Sequence, residues 1–136
     1  MKTNKLYEIA EQDNIQIHNF RLDKTKSTSL EIDGDYYIGL DEKAIETTAE
    51  KNTHLAHELG HCKTGAFYNL YSPLSLRGQH EYRADKWAVL NIIPRNEFIS
   101  LLKKGYERWD LAEHFEVTED LIQKAFHFYC EMEIIN

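Results

Sequence analysis

The sequence predicts a single α+β domain in which a small antiparallel sheet packs on a mainly helical body. The chain has 136 residues, which is the size of one domain with one hydrophobic core. Hydrophobic residues make up 42% and charged residues 29% of the composition, as in globular rather than disordered proteins. Short β-prone segments come early in the chain, and longer segments with helical spacing follow them.

The first forty residues are expected to hold one helix and all of the strands. Apolar residues at helical spacing predict a short helix in residues 1–12. A strand is expected at residues 15–22. Residues 29–33 and 36–40 are expected to pair as a β-hairpin that turns through Gly34–Asp35. We expect the second hairpin strand to form an edge of the sheet and to bind an extended peptide by strand addition.

The remainder of the chain is expected to be helical. Residues 47–65 contain no proline, and Gly65 is a plausible helix end. Proline, glycine and serines predict a loop at residues 68–78, and a second helix should run over 79–92. Three further helices are predicted at 95–104, 108–115 and 118–132. No repeat or linker divides the chain, so residues 1–136 are interpreted as one domain.

Charge and hydropathy disfavour several classes of protein. The 16 basic and 23 acidic side chains give a formal charge of −7, without a basic cluster that would attract nucleic acid. No apolar run approaches the ~20 residues that cross a bilayer, and the first residues lack the apolar core of a signal peptide. A cytoplasmic protein with reduced Cys62 and Cys130 is therefore expected. The sequence does not indicate an oligomeric state.

The segment His57-Glu58-Leu59-Gly60-His61 predicts a metal site. Residues four apart lie on one face of a helix, so His57 and His61 can reach one ion. Neutral imidazole suits zinc, and Glu58 could take a proton from an attacking water. The alternative is a solvated helix face that carries two histidines. Cys62 is not expected to be a ligand, because it points about 100° away from His61.

The third ligand could follow either of two layouts. A histidine six residues after His61, with a glycine between them, is excluded because Phe67 and Thr64 occupy those places. A carboxylate on the next helix is available in Glu81. Asp85, one turn later, could accept a hydrogen bond from a ligating histidine. The alternative is that Glu81 and Asp85 form an ordinary exposed acidic pair.

HELGH, followed by EYRADKWAVLNIIP and LAEHFEVTEDLIQKAF, resembles the ImmA/IrrE family of gluzincin-type metallopeptidases over about residues 30–130. The resemblance implies a zincin-like fold with Glu81 as the third zinc ligand. It also implies a site-specific endopeptidase that cleaves a helix-turn-helix repressor of a phage or mobile element. Some relatives are toxin-antitoxin or stress-response components, so a regulatory role without peptidase activity is the alternative.

Several roles stay open at this level. An oxyanion-stabilising side chain could come from His80, Tyr68, Tyr71 or Tyr82. His54 is not expected to be a ligand, because it would fill the position that catalysis needs open. Residues 109–121 resemble a DNA-binding helix-turn-helix, but the second helix would present acidic side chains to phosphates. A zinc-stabilised interaction module is also conceivable, although such a module has no need of Glu58.

Overall fold

The computed structural model describes residues 2–65, 67 and 74–135. Six helices and three strands lie in these ranges, and the predicted α+β class is confirmed. In chain order they are α1 (Lys2–Gln12), β1 (Gln16–Asn19), β2 (Ser27–Ile32), β3 (Asp35–Leu40), α2 (Thr48–Thr64), α3 (Leu74–Ile92), α4 (Arg95–Lys103), α5 (Arg108–Phe115) and α6 (Glu119–Ile135).

The sheet is mixed, so the expectation of a wholly antiparallel sheet is wrong. Strands β2 and β3 form the predicted antiparallel hairpin, with a turn at Asp33 and Gly34 rather than at Gly34 and Asp35. Both turn residues have positive φ, 51° and 86°, as a tight two-residue hairpin turn requires. β1 pairs with β3 in parallel. The 15 residues between these strands include β2, and they are long enough to form the crossover that a parallel pair needs.

The strand order β1-β3-β2 places β3 in the centre of the sheet. The prediction that residues 36–40 form an edge strand is therefore wrong, since β3 has a partner on each side. β2 is the edge strand that packs beside α2. Any peptide that extends this sheet near α2 must therefore add to β2.

Helix α2 has the ends that its sequence predicts. The Thr47 hydroxyl accepts a hydrogen bond from the Glu50 backbone N–H at 3.1 Å and caps the first turn. Gly65 ends the helix in the left-handed conformation, with φ of 67°. Between these caps, Leu55 and Leu59 are fully buried in the core. The helix thereby holds one face in the interior while its neighbouring face carries the HELGH histidines.

Helices α2 and α3 approach each other closely at Gly60. A Cβ atom on Gly60 would lie 2.4 Å from the carbonyl oxygen of Ala84, so only glycine fits there. α3 begins at Leu74, so the predicted loop over residues 68–78 is wrong at residues 74–78, and its residues 68–73 lie outside the described ranges. Gly78 favours a loop in the sequence, but it lies within α3, where a Cβ atom at this position would meet nothing within 4 Å. Its only effect is to lower the intrinsic helix propensity of α3.

Partly buried hydrogen bonds tie α2 to α1 and to the segment between α5 and α6. Asn52 has no exposed surface, and its amide nitrogen donates to the Glu116 carbonyl at 2.8 Å. The Thr3 hydroxyl of α1 donates to the Asn52 side-chain oxygen at 2.5 Å. The Thr118 backbone N–H donates to the Thr53 hydroxyl at 2.9 Å. These contacts anchor the first half of α2, so its second half is presented from a fixed support.

Among the residues that the structure describes, no helix combines the length and the apolar character needed to span a bilayer.

Candidate metal centre

A cleft of about 410 Å³ opens between the start of β2, the middle of α2 and the first half of α3. Its described walls are formed by Thr25, Ser27, Thr28, Ser29, His54, His57, Glu58, His61, Phe67 and Glu81. The cleft thus contains four of the residues that the sequence selects, together with polar side chains of the edge strand.

His57, His61 and Glu81 converge at one end of this cleft. The Nε2 atoms of the two histidines lie 3.2 Å apart. The Glu81 carboxylate places Oε2 2.8 Å from His57 Nε2 and Oε1 3.0 Å from His61 Nε2. Across the described residues, these three form the group whose ligand atoms could hold a metal ion. The spacing of four along α2 and the return of α3 produce this convergence.

The distances suit a small divalent ion. Zinc bonds to imidazole nitrogen and carboxylate oxygen at about 2.0–2.2 Å, so tetrahedral ligand atoms lie about 3.3 Å apart. The two imidazole nitrogens lie 3.2 Å apart, and each lies 2.8 or 3.0 Å from one of the two Glu81 carboxylate oxygens, close to that value. Two imidazoles and one carboxylate are also the donor set of catalytic zinc sites that keep a fourth position open. The residues present therefore fit a metal ion.

Asp85 holds the opposite nitrogen of His57. Its Oδ1 lies 2.7 Å from His57 Nδ1, and its Oδ2 lies 3.2 Å from the ammonium of Lys124 on α6. Burial raises the pKa of Asp85, but the hydrogen bond with His57 and the charge of Lys124 outweigh burial and leave that pKa below its usual range. An ionised Asp85 accepts the Nδ1 proton, so Nε2 of His57 is left to face His61 and Glu81.

The same contacts determine the charge of His57 in the metal-free protein. Burial lowers the pKa of His57, but hydrogen bonds to Asp85 and Glu81 outweigh burial and raise that pKa to about 10. His57 is therefore protonated at neutral pH before a metal binds. Because a metal ion needs the neutral imidazole, binding must displace this proton.

We expect metal binding at neutral pH to release a proton from His57, and metal affinity to rise with pH up to about 10. Titration calorimetry in buffers of different ionisation enthalpy measures the proton count. Asp85→Asn removes one group that raises the pKa of His57, so this variant should release fewer protons at neutral pH. Metal binding by the wild type at neutral pH without proton release would show that His57 is not protonated beforehand.

Glu58 lies beside this group but is held separately from it. Its side chain is 6% exposed and lines the cleft. Its Oε2 accepts a hydrogen bond of 2.7 Å from the Ser27 hydroxyl on β2. A buried carboxylate with one oxygen engaged by a hydroxyl and access to the cleft can accept a proton from a water there.

The other sequence candidates take up different positions. Cys62 is 5% exposed, and burial raises the pKa of its thiol to about 12, so it stays protonated. His54 Nδ1 lies 2.9 Å from the Ser27 hydroxyl.

The candidates for stabilising an oxyanion lie elsewhere or are not described. The Tyr82 hydroxyl donates a hydrogen bond to Glu131 on α6 at 3.0 Å. His80 and Tyr82 are not among the described cleft residues, and Tyr68 and Tyr71 lie outside the described ranges.

The contribution of β2 to the cleft is not evident from the sequence. Ser27 and Ser29 alternate along the strand and therefore lie on one face, and both line the cleft. Phe67 adds an apolar wall, with its ring centroid 6.2 Å from that of His61. The alternating serines were the available signal, but nothing local connects them with Glu58, which lies 31 residues from Ser27.

The segment that resembles a helix-turn-helix forms α5 and α6. The first turn of α6 carries Glu119 and Asp120. Arg108 pairs with Glu119 at 2.9 Å, and Lys124 pairs with Asp85 and lies 3.4 Å from Asp120. The cations of this region are thus engaged with carboxylates of the same chain.

Comparison with known proteins identifies the family. A model of the family Peptidase_M78, described as the IrrE N-terminal-like domain, matches residues 10–127, which is most of the chain. Neither the curated proteins nor the solved structures gave a match.

Proposed function

The chain belongs to the Peptidase_M78 family through its IrrE N-terminal-like domain, and on this premise we propose that it is a zinc-dependent endopeptidase that cuts a protein substrate. The observation that carries the proposal is the buried Glu58 carboxylate, which opens on the same cleft as the convergent His57, His61 and Glu81. A purely structural metal site requires no such carboxylate beside it.

Each of these residues has a separate role in the proposed amide hydrolysis. His57, His61 and Glu81 would hold zinc. When bound, this ion would act as a Lewis acid that polarises the scissile carbonyl and lowers the pKa of water. Glu58 would accept a proton from the attacking water and deliver it to the leaving nitrogen. Asp85 would keep His57 in the tautomer that presents Nε2.

The outer edge of β2, on which no described strand lies, is our proposed binding site for the substrate backbone. A two-residue turn joins Ile32 to Asp35, so these two residues form a hydrogen-bonded pair. Hydrogen-bonded and non-hydrogen-bonded pairs alternate along an antiparallel ladder, which makes Ser29 a member of a non-hydrogen-bonded pair. The Asp41 N–H donates to the Lys26 carbonyl at 2.9 Å, as this alternation requires. The backbone groups of Ser29 therefore point to the outer edge, where an extended peptide can bind beside the cleft.

We expect Ser29→Pro to fold but to cleave its substrate with a raised KM. Proline removes an N–H that points outward and leaves the bonds between β2 and β3 intact, which edge strands tolerate. Leu30→Pro is the matched control. Its N–H points towards β3, so that change should lower Tm. Normal kcat/KM in a folded Ser29→Pro protein would exclude strand addition at β2.

The resemblance to ImmA/IrrE proteins supports a helix-turn-helix repressor of a phage or mobile element as the substrate. Cleavage in an exposed segment of such a repressor would relieve repression. We propose a cytoplasmic site of action, with no direct nucleic-acid or membrane partner. The formal charge of −7 supports the absence of a nucleic-acid partner. The acidic first turn of α6 supports it as well.

The experiment uses Glu58→Gln as a substrate trap. Proteins retained by this zinc-loaded variant in cells are identified, purified and incubated with the wild-type protein. We expect the wild type to cut one of them at a defined bond. A chelator should abolish cleavage, and added zinc should restore it. If no retained protein and no candidate repressor is cut by the zinc-loaded wild type, the proposed function is wrong.

A further inference from the structure

Ser27 lies between two titratable side chains in the wall of the cleft. It begins β2 and is 6% exposed. Its Oγ lies 2.7 Å from Glu58 Oε2 and 2.9 Å from His54 Nδ1. The three side chains thus form a chain of hydrogen bonds from α2 to the edge strand and back to α2.

The number of protons determines the direction of these bonds. A serine hydroxyl has one proton to donate, and the Ser27 hydroxyl donates it to Glu58 Oε2. Ser27 must then accept from His54, which requires the proton of His54 to be on Nδ1. Burial lowers the pKa of His54, so its imidazole is neutral at neutral pH. The orienting bond of a neutral histidine determines its tautomer.

We propose that Ser27 and His54 are positioning residues that hold the Glu58 carboxylate in one orientation, with Oε2 engaged and Oε1 left for water in the cleft. The inference rests on the proposed function, in which Glu58 is the base. Neither residue touches the substrate bond in this role. His54 fixes the Ser27 hydroxyl, and Ser27 fixes the carboxylate.

The arrangement also connects substrate binding with the base. Ser27 and Ser29 belong to the same strand, two residues apart, and Ser29 lies at the edge to which a peptide would add. An extended peptide bound along β2 would be in register with the strand that orients Glu58. The side chain that holds the base is thus part of the surface that would align the scissile bond.

The first measurement concerns the tautomer and requires no activity. Nitrogen-15 NMR of the metal-free, full-length protein at neutral pH distinguishes Nδ1–H from Nε2–H imidazole. We expect His54 in the Nδ1–H form, whereas free histidine favours Nε2–H. In Ser27→Ala the acceptor is lost, so the Nδ1–H form should lose its predominance. A wild-type His54 in the Nε2–H form would overturn the proposal.

The second measurement is steady-state cleavage by the zinc-loaded protein. Because a displacement of about 1 Å can cost about 10²-fold, we expect Ser27→Ala to lower kcat by about 10- to 100-fold. KM and zinc content should stay within about twofold, since neither the edge backbone nor the ligands change. Ser27→Thr keeps the hydroxyl and should restore kcat. As an independent pair, His54→Ala should lower kcat, and His54→Gln, which keeps a donor, should lower it less.

The outcomes separate the two proposals. A zinc-loaded wild type that cleaves nothing contradicts the proposed function, and the positioning role falls with it. An active wild type whose kcat is matched by Ser27→Ala overturns the positioning role alone. A raised KM at unchanged kcat would also overturn that role, because it would assign Ser27 to substrate binding.

Discussion

Replacement of Glu58 by glutamine is expected to lower cleavage by about 10²–10⁴-fold, because general base catalysis typically contributes that much. The amide has nearly the shape of the carboxylate and can still accept the Ser27 hydrogen bond that the structure shows at 2.7 Å. It cannot accept a proton from water. Since Glu58 is not one of the three convergent side chains that could hold a metal ion, zinc content and Tm should stay close to wild type.

His61→Ala is the matched comparison for this prediction. His61 Nε2 lies 3.2 Å from His57 Nε2 and 3.0 Å from Glu81, so its removal opens the ligand group. Zinc and activity should then be lost together. Zinc stoichiometry, Tm and cleavage rate of the three proteins test the assignment. A Glu58→Gln protein that cleaves as fast as wild type would eliminate Glu58 as the base, and one without zinc would make Glu58 a ligand.

Gly60→Ala is expected to lower the free energy of unfolding by about 1–3 kcal/mol or more, as overpacked cores do. The new methyl group would lie 2.4 Å from the Ala84 carbonyl oxygen and 2.8 Å from its Cα. These are backbone atoms, so no side-chain rotation relieves the clash, and α2 and α3 must separate. Glu81 is on α3 and both histidines are on α2, so metal affinity should fall as well.

Gly78→Ala provides the control, since it is the same chemical change in a helix. A Cβ atom on Gly78 meets nothing within 4 Å. Alanine has the better helix propensity by roughly 0.5–1 kcal/mol, so this variant should be slightly more stable than wild type. Thermal unfolding and zinc titration measure both effects. If Gly60→Ala unfolds at the wild-type temperature with unchanged zinc affinity, the close approach of the two helices is not a constraint.

Features that depend on neighbouring residues were predictable from the sequence. The Gly65 end of α2 is local, and it forms within the last turn of its own helix. The HELGH spacing likewise needs only helical geometry to bring His57 and His61 together. Glu81 required the further assumption that α3 returns beside α2, which the close approach at Gly60 makes possible.

Features that depend on distant pairing were not predictable. Nothing in residues 16–19 indicates a parallel partner at residues 37–40, and that pairing puts β3 in the centre and leaves β2 at the edge. The start of α3 was misplaced because Gly78 is a local loop signal that the packing of α3 overrides. Ser27 has no local sequence signal, because its role depends on contacts with His54 and Glu58 on another element.

Metal binding at His57, His61 and Glu81 would also have a thermodynamic consequence for the whole fold. His57 and His61 come from α2, and Glu81 comes from α3, so a bound ion would act as a cross-link between two helices that supply much of the core. An ion that binds the folded chain but not the unfolded chain adds RT ln(1 + [L]/Kd) to the free energy of unfolding, about 2.7 kcal/mol at a free concentration of 100 Kd. The resistance of this chain to unfolding and proteolysis would then vary with the zinc activity of its surroundings.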